Sequence, residues 1–144
     1  MIAWLFKLAD HVRDTGRRRV WPSGMASGRR GEDLAHRFLR RKGMIIVARN
    51  YHPPFGGADL DLVGWDSGRL AIIEVKSRAA GEVEPPERAV DAEKERLLER
   101  SARDYVKRVG ADWGQIRFDI VSVVFSDPPR IEWFADAFEP RRTI

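Results

Sequence analysis

The 144-residue chain contains no cysteine, which excludes disulfides, thiol nucleophiles and thiolate zinc sites together. Histidine is scarce too: His11, His36 and His52 are scattered without metal-ligand spacing, so zinc lacks a donor set. No apolar run is long enough to span a bilayer. The first nine residues are briefly hydrophobic, but the charged continuation Asp10-His11-Val12-Arg13 is unlike a secretory signal. The expectation is a cytoplasmic protein without membrane association. The length suits one compact domain with an appendage and leaves little for a second core.

What the chain has is charge, unevenly placed. Its 26 basic and 22 acidic residues give a net +4, yet the first 50 residues hold 12 Lys or Arg against 4 Asp or Glu. Such asymmetry suits a partner made of phosphates, because Lys and Arg contacts supply most sequence-independent affinity for nucleic acid. A solvated basic helix would give the same count. Arg29, Arg30, Arg37, Arg40 and Arg41 are the candidate phosphate contacts, with Arg78 and Lys94 extending them.

Trp4, Leu5, Leu8 and Val12 recur at helical spacing and predict a short amphipathic helix that docks on its own domain. From Thr15 to Arg30 the chain is rich in Arg, Gly and Ser and reads as a basic linker, so residues 1–27 form an appendage and 28–144 the domain. The domain opens with a helix from about Arg29 to Lys42, striped by Leu34, Ala35, Phe38 and Leu39 and stopped at Gly43. Glu32 falls in its first turn, where it either favours the helix dipole or serves as a metal ligand. A strand over Met44 to Arg49 precedes two hairpin strands. A helix over Glu87 to Val109 follows Pro85-Pro86, then strands over Ile116–Phe125 and Ile131–Phe134. The order α-β-β-β-α-β-β predicts an α/β domain with a mixed central sheet flanked by helices.

The hairpin carries the chemistry. Asp59-Leu60-Asp61-Leu62-Val63 and Ile72-Ile73-Glu74-Val75-Lys76 flank Ser67-Gly68, and a four-residue loop over Asp66 to Arg69 sets Asp61 opposite Glu74 and Asp59 opposite Lys76. All four then emerge on one face, with Leu60, Leu62, Ile73 and Val75 on the other. An odd-length loop would part the carboxylates. Opposed carboxylates repel, and a hard divalent cation between their oxygens relieves that repulsion, which points to magnesium-assisted phosphodiester cleavage. A solvated charged strand face is the plainer reading. Trp65 and Tyr51 are candidates for base stacking or for covering the core edge. Asp119 faces away from Phe118 and Ile120 and suits a strand-end hydrogen bond.

Gly31-Glu32 with Ala35 and Phe38-Leu39, Gly43, Arg49-Asn50-Tyr51, the hairpin carboxylates, Glu74-Val75-Lys76-Ser77-Arg78, Ala89-Val90 with Lys94, Arg117-Phe118-Asp119 and Ala137-Phe138 occur in a specific order. In that order the chain resembles the YraN-type family over about Gly28 to Phe138. The family's fold is similar to the restriction-endonuclease and Holliday-junction-resolvase group. The resemblance implies a restriction endonuclease-like core of the PD-(D/E)xK pattern with Asp61, Glu74, Lys76 and Glu32 as catalytic residues. It implies Mg²⁺ or Mn²⁺ held by Asp61, Glu74, Glu32 and the Val75 carbonyl, and hydrolysis of DNA, branched structures included. Enzymes of that group that cut both strands often act as homodimers, though no sequence patch here marks an interface. The family usually reads Gly-Glu-aliphatic-Asp where this chain has Ala58-Asp59-Leu60-Asp61, so Asp59 is expected not to ligate directly but to pair with Lys76, or else to act through a metal-bound water. The alternative is a nuclease scaffold without turnover that binds nucleic acid or a protein partner.

Overall fold

The computed structural model describes residues 22–82 and 92–139. Helix α1 (Pro22–Arg41) leads to strands β1 (Ile45–Tyr51), β2 (Leu60–Asp66) and β3 (Arg69–Ala79). Helix α2 (Ala92–Val109), a 3-10 turn (Trp113–Gln115) and strands β4 (Ile116–Phe125) and β5 (Arg130–Phe138) complete the order. The strands form one mixed sheet, β1-β2-β3-β4-β5, antiparallel throughout except for the parallel pair β3–β4. The α/β class and element order expected from the sequence are those observed.

A parallel pair needs a long crossover, and α2 supplies it. The Ala58 amide donates to the Leu97 carbonyl at 3.4 Å, which seats the N-terminal half of α2 beside the start of β2. Alternation along the strands divides the core in two. On one face Ala35 and Leu39 of α1 meet Leu62, Ala71, Ile73, Val75 and Val121. On the other, Leu98, Ala102 and Tyr105 of α2 meet Val63, Ile72 and Ile120.

Helix α1 begins well before the predicted Arg29. Proline suits the first helical position, since its φ is already helical and no partner is needed for the N–H it lacks. The Gly- and Ser-rich run, whose composition predicts a linker, is thus helical from Pro22 onward. Residues 1–21, with the predicted Trp4–Val12 helix, lie outside the described residues. So do 83–91, with Pro85-Pro86 and the predicted start of the second helix. The last strand extends past the predicted Phe134 to Phe138 through a bulge: Ile120 pairs with Phe134 and Phe118 with Phe138, and Asp136 turns left-handed at φ 55°. Among the described residues no helix is long and apolar enough to cross a membrane.

The seating of α1 on β3 depends on Gly31, where an added Cβ would stand 1.8 Å from Ser77 Oγ and 3.0 Å from Ser77 Cβ. Rotating the serine relieves only the first clash. Gly31→Ala gains roughly 1 kcal/mol of helix propensity but incurs an overpacking cost of roughly 1–3 kcal/mol. The expected result is a lower urea midpoint, partly restored by Ser77→Gly in the same chain.

Candidate active site

Ser67 and Gly68 both adopt positive φ, 49° and 82°, which makes a two-residue turn whose twist matches the flanking strands. The connection is shorter than the four-residue loop expected, but its parity is the same. The register follows as predicted from Asp66 opposite Arg69 to Leu62 opposite Ile73.

Beyond that pair the strands part, and the expected pairing of Asp61 with Glu74 gives way to another arrangement. In a hairpin closed by two residues, the next hydrogen-bonded pair would join Leu60 and Val75. Instead the Val75 N–H donates to Asp61 Oδ2 at 2.8 Å, so a carboxylate takes the place of a strand carbonyl. Leu60 pairs with Tyr51 of β1 and joins the α2-side core, not the face shared by Leu62 and Ile73. The N–H and C=O of a strand residue point to the same edge, so the Val75 carbonyl looks into the same gap.

Glu74 is in parallel register with Ile120 and Lys76 with Ser122. Ile120 belongs to the α2-side core, so Glu74 and Lys76 project toward α2. Asp61 and Glu74 are each 2% exposed and Lys76 is 1% exposed. Both Glu74 oxygens and Lys76 Nζ are closed off from solvent. Taking an ion out of water costs several kcal/mol even after relaxation. A solvated strand face does not place three there, and that plainer reading fails.

The model of the Uncharacterised protein family UPF0102 matches residues 31–123, a span that holds Glu32, the hairpin and β3. The chain belongs to this YraN-type family. It is 51% identical over 138 residues to a UPF0102 protein of Solibacter usitatus, covering 96% of this chain and all of the relative. A UPF0102 protein of Koribacter versatilis is 43% identical over 118 residues, 81% of this chain and 82% of its own. A third, from Porphyromonas gingivalis, is 42% identical over 114 residues, 77% and 82% respectively.

The other predicted residues of this UPF0102 chain are distributed unevenly. Glu32 lies in the middle of α1, not its first turn, because the helix starts at Pro22; the dipole explanation lapses. It stands 3.8 Å from Arg49 Nη2, which also meets Asp33 at 2.8 Å. Among the described residues no three His, Cys, Asp or Glu side chains form a group able to hold a metal, so Glu32 does not join Asp61 and Glu74 in one. The remaining donors, Asp61, Glu74 and the Val75 carbonyl, are all hard oxygens. That set fits Mg²⁺, which is commonly held through one or two carboxylates with water and substrate phosphate completing its shell.

Asp59, expected opposite Lys76, precedes β2, and its Oδ1 lies 2.8 Å from His52 Nδ1. Arg29, Arg30, Arg37, Arg40 and Arg41 are exposed on α1, across the sheet from Glu74 and Lys76. Arg30 stacks over Phe125 at 4.9 Å, and Arg78 Nη1 donates to the Glu82 carbonyl at 3.1 Å. Lys94, grouped with the surface cations, is instead buried on α2 at 7% exposure. Tyr51 and Trp65 cover the core edge. Tyr51 packs edge-on to Tyr105 and its hydroxyl donates to Asp104, a bond that holds the Asp104 carboxyl below its usual range. His36 lies beside Arg49 and Arg40; partial burial first, then those charges, lower its pKa.

Sequence reasoning missed one network. Asp119, 1% exposed, accepts from Arg117 Nε at 2.8 Å and Nη2 at 2.7 Å, from Trp133 Nε1 at 2.9 Å and from the Asp136 amide at 2.9 Å. Arg117 Nη1 also reaches Asp66 at 2.9 Å. The far end of the sheet, including the β5 bulge, is pinned through a single carboxylate. The spacing of Arg117 and Asp119, two apart on one strand face, was the available signal.

Proposed function

We propose that this chain is a Mg²⁺- or Mn²⁺-dependent nuclease that hydrolyses DNA phosphodiester bonds on a restriction-endonuclease-like core. The observation that carries the reading is the burial of Asp61, Glu74 and Lys76 at the place where β2 parts from β3. Two carboxylates and an ammonium out of water are expensive to keep, and phosphoryl transfer gives each a use. Asp61, fixed by the Val75 amide, Glu74 and the Val75 carbonyl would hold the cation. Bound there, the cation would polarise the phosphate and activate water for in-line attack. Lys76 stabilises charge growing on the phosphate oxygens or orients the attacking water.

The position of the α1 arginines, across the sheet from Glu74 and Lys76, bears on the substrate. A straight duplex docked on one face meets only one of the two sets, whereas a flap or junction offers an arm to each. Branched DNA is therefore the favoured substrate. The competing reading, a binding module on the same scaffold, draws on the enclosure of the Glu74 oxygens and Lys76 Nζ.

Titration with Mg²⁺ or Mn²⁺ separates the two, because a ligand at 100 times its Kd stabilises the folded state by about 2.7 kcal/mol. The expected result is a metal-dependent rise in melting temperature that Asp61→Asn and Glu74→Gln each abolish. Cleavage of flapped and four-way DNA should follow, faster than that of linear duplex. Identical melting with and without metal, together with intact DNA, would favour the binding module.

A further inference from the structure

One buried charge, on α2, has no part in the reaction proposed above. Among the described residues, the buried polar side chains other than the site include Arg117 and Asp119, which pair with each other on the α1 side. Ser77 lies against Gly31, and the Ser101 hydroxyl donates to the Leu97 carbonyl at 3.0 Å. Lys94 is buried too, and the remaining buried charged side chains among the described residues are Asp61 in the β2–β3 gap and Glu74 and Lys76, which project toward α2.

Its placement agrees. Lys94 continues the inward stripe of Leu98, Ser101, Ala102 and Tyr105 one turn toward the N-terminus of α2. The Leu97 carbonyl, one turn further along, accepts from the Ala58 amide, which sets this end of α2 beside the start of β2, where Asp61 lies. A cation in the first turn of a helix opposes the helix dipole, and burial adds a desolvation cost. Two local penalties on one side chain are what a functional group shows when the fold retains it against its own stability.

We propose that Lys94 is the second ammonium of this pocket. It balances the Asp61 and Glu74 carboxylates in the metal-free chain and passes to the substrate phosphate when a divalent cation takes those carboxylates over. Two carboxylates then face two ammoniums, and the metal-free pocket is neutral. Cation binding leaves an excess of positive charge that a phosphate neutralises, so metal and DNA bind cooperatively. The counter-ion role rests on burial and placement, and the phosphate role rests on the nuclease reading above.

The test uses the full chain. Lys94→Met and Glu74→Gln are measured singly and together by urea unfolding, with Lys94→Gln as a second variant should the methionine fail to fold. The expected coupling is about tenfold in the unfolding equilibrium constant, the double variant being more stable than the two single losses predict. Calorimetry with Mn²⁺ should show Lys94→Met binding the ion about tenfold more tightly, because a competing positive charge is gone. Affinity for a four-way junction should fall by a similar factor. Additive unfolding effects, within error, would remove Lys94 from the pocket and overturn the proposal whatever the fate of the nuclease reading. Wild-type chain that binds no Mn²⁺ would defeat that reading and the phosphate role, while the unfolding cycle still judges the counter-ion role.

Discussion

Asp119→Ala is expected to destabilise the domain by about 3–5 kcal/mol, the usual consequence of removing one partner from a buried ion pair. The alanine would leave the Arg117 guanidinium, itself 8% exposed, with Asp66 as its remaining acidic partner in the network. It would also strand the Trp133 indole N–H and the Asp136 amide. Folded domains are stable by only about 5–15 kcal/mol, so this one substitution consumes a large fraction of the total. Urea unfolding should show a midpoint lowered sharply at constant slope. Asp119→Asn keeps the shape and one acceptor oxygen and should lose less. Arg117→Leu added to Asp119→Ala should recover part of the loss, since the isolated buried charge disappears with the arginine. Recovery that fails to appear would mean that the indole and amide bonds outweigh the ion pair.

Lys76→Met carries the second large effect, on turnover. Losing one well-placed electrostatic stabiliser lowers rates by roughly a hundredfold to a thousandfold, or about 3–4 kcal/mol. The expected result is cleavage of flapped DNA reduced by that factor or more. Affinity for DNA should change far less, because the exposed α1 arginines are untouched. Stability should fall as well, since Asp61 and Glu74 lose a compensating charge in an environment nearly closed to water. Mn²⁺ should then stabilise the variant more than it stabilises the wild type. A variant that cleaves at the wild-type rate would remove Lys76 from the chemistry and leave it a structural ion.

The hairpin was legible in the sequence because its determinants are local. Ser67-Gly68 fixes the turn, the turn fixes parity, and parity decides which residues share a face. The order of elements was legible for a similar reason, since each stretch carries its own periodicity and its own stops. What escaped depends on contacts between distant segments. Asp61 reads as a ladder partner of Glu74 until β2 turns toward β1 and hands Leu60 to Tyr51. Lys94 reads as a surface cation because its burial comes from packing against a sheet more than a helix length away in sequence. Pro22 and the glycines after it look like a linker, and the helical start they form is sustained by α1 packing on β3.

The central position of β3 also bears on how the chain is made. Glu74 and Lys76 lie on a strand that β2 can join as soon as the hairpin leaves the ribosome, but its other neighbour aligns Ile120 with Glu74, 46 residues later. Local pairing is fast and distant pairing slow. Burial of the acidic and basic groups thus waits until β4 has been made and pairs with β3. A nascent chain halted before β4 would carry Asp61, Glu74 and Lys76 and still lack the strand that completes their burial.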